Sequence, residues 1–125
     1  MPKYRSRFES YCHKALGDEC DFEPVTIEYS MEHKYTPDFV PKHNDHILIE
    51  CKGRFRSSAE AAKYRAIREC NPSKEIIFIF MNPDCPMPHT KKRKDGTRNT
   101  HGEWATKNGF RWYTMKDIPD NWGIL

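Results

Sequence analysis

Tyr35-Thr36-Pro37-Asp38-Phe39-Val40 and His46-Ile47-Leu48-Ile49-Glu50-Cys51-Lys52-Gly53, joined by a polar turn at Lys42-His43-Asn44-Asp45, form the stretch around which this chain organises. Three consecutive apolar residues, Ile47 to Ile49, in a segment of strand length predict a strand buried on both faces. Pro37 keeps Thr36 away from helix, so 35–40 is expected to be a second extended piece at the start or edge of a sheet. Alternation along the 46–51 strand puts Glu50 and Lys52 on one face and Cys51 on the other. That parity marks Cys51 as a buried, inert thiol rather than a nucleophile. If the two pieces pair through the turn, Asp38 comes alongside Glu50. Two carboxylates meeting there make an oxygen site of the kind Mg²⁺ prefers, with Mn²⁺ expected to substitute. A lysine beside them can orient or deprotonate a water, or face negative charge on a phosphate. Two acids with a neutralising lysine is the plainer alternative. Against it stand the Pro before Asp38, the apolar run into Glu50, Gly53 directly after Lys52, and the basic segment beyond.

Upstream, Phe8, Tyr11, Cys12, Ala15 and Leu16 recur at helical spacing from Arg5 to Leu16, and Gly17 is a natural stop. Val25, Ile27, Tyr29 and Met31 then alternate with Thr26, Glu28 and Ser30, which predicts a half-buried strand over 24–31. Downstream, Ser57 and Glu60 form a capping box ahead of a helix over 59–69, stopped by Asn71-Pro72. Ile76 to Met81 reads as another buried strand. Residues 82–99, with Pro83, Pro86, Pro88 and Gly96, read as a long exposed basic loop. Thr100 and Glu103 make a second capping box before a short helix ending near Gly109, followed by an aromatic strand over 110–113. The expected order is α-β-β-β-α-β-α-β, a single α/β domain over 1–125.

The 125 residues suit one domain. Mean hydropathy is −0.92, and no apolar run approaches the roughly 20 residues of a membrane span. Met1-Pro2-Lys3-Tyr4 carries no apolar stretch, so a secretory signal is not expected and the expected compartment is the cytoplasm. Five cysteines without CxxC spacing argue against a disulfide scaffold or zinc ribbon. Cys85 and His89 would supply half a zinc site, with no second half in view. A formal charge of only +3 hides a partition: residues 15–50 carry nine acids against Lys34 and Lys42, while 1–14, 51–68 and 89–98 are all basic. An acidic block flanked by basic ones suits a polyanion surface around a carboxylate site. Arg54, Arg56, Lys63, Arg65 and Arg68, with Lys91, Lys92, Arg93 and Lys94, are the phosphate-contact candidates, together with Arg5 and Arg7 near the start.

Asp38, Glu50 and Lys52 resemble the PD-(D/E)xK nuclease superfamily. The wider chain is similar to the phage-type endonuclease I family, whose members resolve four-way DNA junctions. The resemblance runs through Tyr4-Arg5-Ser6 and Glu9, Tyr35 to Phe39, Ile49 to Gly53, Ala66-Ile67-Arg68-Glu69, Asn71-Pro72, and Gly102-Glu103-Trp104 with Lys107-Asn108-Gly109. It implies a restriction-endonuclease-like α/β fold, a mixed sheet flanked by helices, in an intertwined, domain-swapped homodimer that exchanges residues 1–28. It further implies that Asp38, Glu50 and the Cys51 carbonyl bind Mg²⁺ and that Lys52 acts beside the attacking water. Glu9 would complete the acidic site of the partner chain. The implied activity is metal-dependent cleavage of branched DNA, with neither a membrane nor a small-molecule cofactor involved. The alternatives are another nuclease of the superfamily (nickase, homing or restriction type) acting on linear DNA, or a non-catalytic basic module that binds nucleic acid.

Overall fold

Ile47–Lys52 forms the edge strand β1 of a three-stranded sheet in the computed structural model, which describes residues 3–125. Ser58–Cys70 (α2) follows it, then Glu75–Phe80 (β2), His101–Lys107 (α3) and Arg111–Tyr113 (β3); Arg7–Leu16 (α1) precedes it. The sheet order is β1-β2-β3 and both pairings are parallel, with Glu50 opposite Phe78 and Lys52 opposite Phe80. Parallel neighbours need a crossover, and α2 and α3 supply the two. Residues ending at His33 form one compact unit, and Lys34–Leu125 form another.

Strand parity builds two apolar layers in the larger unit. Phe78, Phe80 and Ile76 face α2 and α3, where they pack with Phe55, Tyr64 and Trp104. Ile47, Ile49 and Ile77 face the other way, and Ile79, Tyr113, Trp122 and Leu125 close over them. Asn44, in the turn before β1, donates from Nδ2 to the Trp122 carbonyl at 2.7 Å and so ties the chain end to this layer. The consecutive run Ile47-Leu48-Ile49 is thus covered on both sides, as its composition predicts. Trp104 is a core residue, buried among Phe55, Phe78 and Phe110.

Two expectations are corrected and two are refined. The 24–31 segment joins no ladder among the described residues, and its apolar residues are exposed: period-two alternation favours strand geometry but provides no ladder partner. The sheet proper is parallel rather than mixed, because the 35–40 piece contributes a single antiparallel bridge, Phe39 to Ile49. Both capping boxes form only their first half. Ser57 and Thr100 accept from the backbone N–H groups of Glu60 and Glu103; the Glu60 side chain then pairs with Lys52, while Glu103 accepts from the Thr100 hydroxyl with one oxygen and pairs with Arg93 through the other. Residues 82–99 form a largely exposed loop, as expected, but one tied down at its base: Met87 N–H donates to the Asn99 carbonyl at 2.8 Å, and the Met87 side chain is buried in the core.

α1 ends where expected, with Gly17 at a φ of 69° that other residues rarely adopt. None of its residues is buried, and Phe8, Tyr11 and Leu16 are exposed. Within the same unit Tyr4 packs on Phe22 and its hydroxyl meets His13 Nδ1 at 2.6 Å. No helix among the described residues is long and apolar enough to cross a membrane.

Candidate active site

The end of β1 gathers Asp38, Glu50 and Lys52. In a parallel ladder successive backbone groups point alternately to the two neighbours. His46 and Lys52 give their carbonyls to β2, at Glu75 and Met81, while Ile49 exchanges both hydrogen bonds with Phe39. Cys51 shares the polarity of Ile49, and its N–H donates to Asp38 Oδ2 at 2.9 Å. The Asp38 carboxylate therefore replaces a ladder acceptor, held against the residue that follows Glu50. The Cys51 carbonyl lies along this same free edge.

Glu50 is 8% exposed, an unusual place for a carboxylate. Two phenols satisfy it: Tyr35 donates to Oε2 at 2.6 Å and Tyr64, from α2, to Oε1 at 2.8 Å. Burial, then the Glu50 hydrogen bond and charge, raise the Tyr35 pKa well above the ordinary phenol range. Burial and Glu50 likewise push Tyr64 up to about 12, with Lys52 opposing. Both rings consequently remain donors at neutral pH. Lys52 sits with Nζ 4.0 Å from Glu50 Oε1 and 2.9 Å from Glu60 Oε1, over the rings of Phe55 and Tyr64. Burial alone would lower the Lys52 pKa, but Glu60 and Tyr64 outweigh it and the net shift is upward. The side chain therefore presents an ammonium beside Glu50 and Glu60.

The donor set fits a hard divalent cation. Asp38, Glu50 and the Cys51 carbonyl offer oxygen only, and each Glu50 oxygen keeps acceptor capacity beyond its one phenol. Among the described residues no three His, Cys, Asp or Glu side chains form a metal-holding group, so an ion at this edge would draw on backbone, solvent or substrate for its remaining ligands. Mg²⁺ commonly binds in that way.

Other sequence-nominated residues fall as follows. Cys51 points off the Glu50 face as parity requires, but it is exposed rather than buried, because β1 ends there and no chain covers it. Burial, Asp38 and Glu50 raise its thiol pKa, which fits an unreactive sulfur. Glu9 belongs to the smaller unit, where its backbone N–H is capped by Ser6 Oγ. Arg5 pairs with Glu23 at 2.9 Å, and Arg7 is exposed. Lys63 lies over the Tyr35 and Tyr64 rings and Arg65 is exposed on the same helix. Arg68 is instead a structural residue: it donates to the Asn108 carbonyl and stacks on Phe110. Arg93 is committed to Glu103 at 2.6 Å, whereas Lys91, Lys92 and Lys94 are exposed. Tyr35, Tyr64 and Glu60 were missed by sequence reasoning. Tyr35 lies three positions before Asp38, and a four-residue offset puts Glu60 and Tyr64 near one another on α2, but neither signal names a partner on β1.

Comparison with known proteins gives one match of consequence. The family model described as Phage endonuclease I matches residues 1–123 of the 125-residue chain. No curated protein matches it.

Proposed function

Because this chain belongs to the phage endonuclease I family and is thereby a nuclease, we propose that it is a Mg²⁺-dependent endodeoxyribonuclease that resolves four-way and other branched DNA as a homodimer. The observation that carries the proposal is the juxtaposition at the end of β1. Asp38 is held on the Cys51 N–H, next to a buried Glu50, with the Lys52 ammonium 4.0 Å from Glu50. In this reading Asp38, Glu50 and the Cys51 carbonyl hold the divalent ion. When bound, the ion supplies positive charge opposite the phosphoryl oxygens and makes water a stronger acid.

The chain's own residues do the rest. Tyr35 and Tyr64 fix the Glu50 carboxylate in one orientation, so little reorganisation is needed when the phosphate arrives. Glu60 holds the Lys52 ammonium in place at 2.9 Å, where its charge can face the phosphate as negative charge grows on it. Attack of water on phosphorus breaks the P–O bond and leaves a phosphate on one strand end and a hydroxyl on the other.

The homodimer reading draws on the smaller unit, whose helix and alternating 24–31 segment expose apolar side chains, and which carries Glu9. In an exchanged dimer those side chains are covered by a second copy, and Glu9 completes the partner's Asp38–Glu50–Lys52 site. Two sites about a two-fold axis suit paired cuts across a junction. The deciding experiment incubates the protein with a four-way junction and a matched linear duplex in Mg²⁺, with Glu50→Gln as control. Cleavage of the junction by wild type alone is expected. Equal cleavage of the linear duplex would replace the junction assignment with a general nuclease, and intact DNA in both Mg²⁺ and Mn²⁺ would leave only a binding module. Shared sites are tested by refolding Glu9→Ala with Glu50→Ala. Verified heterodimers should regain roughly one functional site, since one composite site holds both defects and the other neither; no regain rules out sharing.

A further inference from the structure

The chain beyond Lys52 builds a second feature. Phe55 is driven into the core, 1% exposed, and its N–H donates to Nε2 of the fully buried His101 at 3.0 Å. With Phe55 pinned inward, Arg54 and Arg56 on either side of it are both exposed. Neither guanidinium forms an ion pair among the described residues. Both line a cleft of about 870 Å³ that starts at Lys52 and Glu60 and reaches Cys85. Both also line an adjoining cleft of about 510 Å³, whose far wall is Pro88, His89 and Arg98 from the folded 82–99 segment. The two share Arg54, Arg56 and Cys85, so they form one trough. Its cations are Lys52, Arg54, Arg56 and Arg98, and its single acid, Glu60, is already paired with Lys52.

Resting on the nuclease reading above, we infer that this trough seats the sugar-phosphate backbone of the cleaved DNA strand to one side of the scissile phosphate, with Arg54, Arg56 and Arg98 on successive phosphates. The strand continues from Lys52 along the trough toward His89. The basic cluster of the 82–99 segment thereby divides. Arg98 lies in the trough wall, while Lys91, Lys92 and Lys94 line neither cleft, and Arg93 is held by Glu103. A run of like charges thus makes its principal contact through the one arginine set apart from the run.

The test measures binding of a fluorescent four-way junction in EDTA, across a range of salt, so that no cleavage occurs. Arg56→Gln and Arg98→Gln are each expected to weaken binding roughly tenfold at fixed salt. Each should also flatten the log–log salt slope by about 0.9, the loss of one duplex phosphate contact. Lys92→Gln should move both by less. Arg98 also donates to the Thr90 carbonyl at 3.0 Å, so Arg98→Lys separates charge from loop shape. A slope retained by Arg98→Lys and lost in Arg98→Gln supports the trough. Equal loss in both, or a larger effect from Lys92→Gln, overturns it. Wild-type cleavage of the same junction in Mg²⁺, run in parallel, reports on the nuclease reading separately. A cleaving enzyme with unaltered slopes in the arginine variants rejects the trough alone.

Discussion

Ile47 and Ile49 in β1 are 0% and 6% exposed, whereas Val25, Ile27, Tyr29 and Met31, which alternate more regularly, are 71, 79, 83 and 67% exposed. Both segments are rich in residues that favour strands. What separates them is a neighbour. β1 has β2 on one edge and Phe39 on the other, with α2 and the chain's end covering its faces. The earlier segment joins no ladder among the described residues. A binary pattern specifies which side chains share a face, and whether that face is buried depends on what meets it. An exposed alternating segment of this kind is a ready pairing surface. This is why the homodimer proposal places a second copy there.

Changes in the two regions should consequently differ in kind. The largest effect is expected at Glu50. Glu50→Gln should keep the fold, since an amide still offers an acceptor to one phenol, yet lower cleavage by roughly 10³-fold or more. Single-turnover rates with bound junction are the measurement, and a loss confined to affinity would contradict the assignment. Next comes Ile27→Lys with Tyr29→Lys. These should leave the circular dichroism of the Lys34–Leu125 fold in place while converting dimer to monomer in sedimentation, with cleavage lost alongside. Unchanged sedimentation would remove the second copy from that face.

Gly102→Ala probes the opposite regime, where space is already filled. A Cβ there would meet Trp112 Cζ2 at 2.9 Å. The indole cannot swing aside without giving up its Nε1 hydrogen bond to Thr106. A destabilisation of about 1–3 kcal/mol is expected by denaturant titration; a neutral result would mean the α3–β3 contact is looser than drawn.

His101 should show itself through pH. It is buried and neutral, its Nε2 accepting from the Phe55 N–H and its Nδ1 without a hydrogen-bond partner among the described residues. Burial depresses its pKa first of all, and the charges of Arg54 and Lys52 add to this, against the Cys85 carbonyl and Glu60. The unfolded chain therefore takes up the proton first. The histidine's contribution to stability is complete above its ordinary value of about 6.5 and declines as pH falls from there through the depressed folded value. His101→Gln, which retains an acceptor for Phe55, should flatten the wild-type fall in denaturation midpoint between pH 7 and 5. Parallel curves would count against a buried neutral imidazole.

The smallest change is expected at Arg111→Ala. Its forked pair with Glu75, at 2.6 Å twice, is partly exposed and holds two strand ends already zipped by backbone. A loss of about 0.2–1 kcal/mol is expected, shrinking with salt. A larger, salt-insensitive loss would mean the pair anchors β3.

Local physics was legible in the residues alone. Gly17 ends α1, Ser57 and Thr100 cap α2 and α3, and Ile47-Leu48-Ile49 forms a strand, because each depends on neighbours a few positions away. The same holds for Glu50 and Lys52 sharing a face, since strand parity follows from backbone geometry. Long-range partners were decided by the tertiary structure. Asp38 Oδ2 takes the Cys51 N–H, Tyr35 and Tyr64 clamp Glu50 from 15 and 14 positions away, and His101 reaches Phe55 across 46. Glu60 shows the boundary most clearly. Its backbone follows the capping rule written in the sequence, while its side chain leaves the helix terminus for Lys52, an ammonium that only the packing of α2 on β1 brings within 2.9 Å. Propensity acts over one turn or one pleat, whereas a side chain's charge finds its partner wherever the folded chain puts an opposite one.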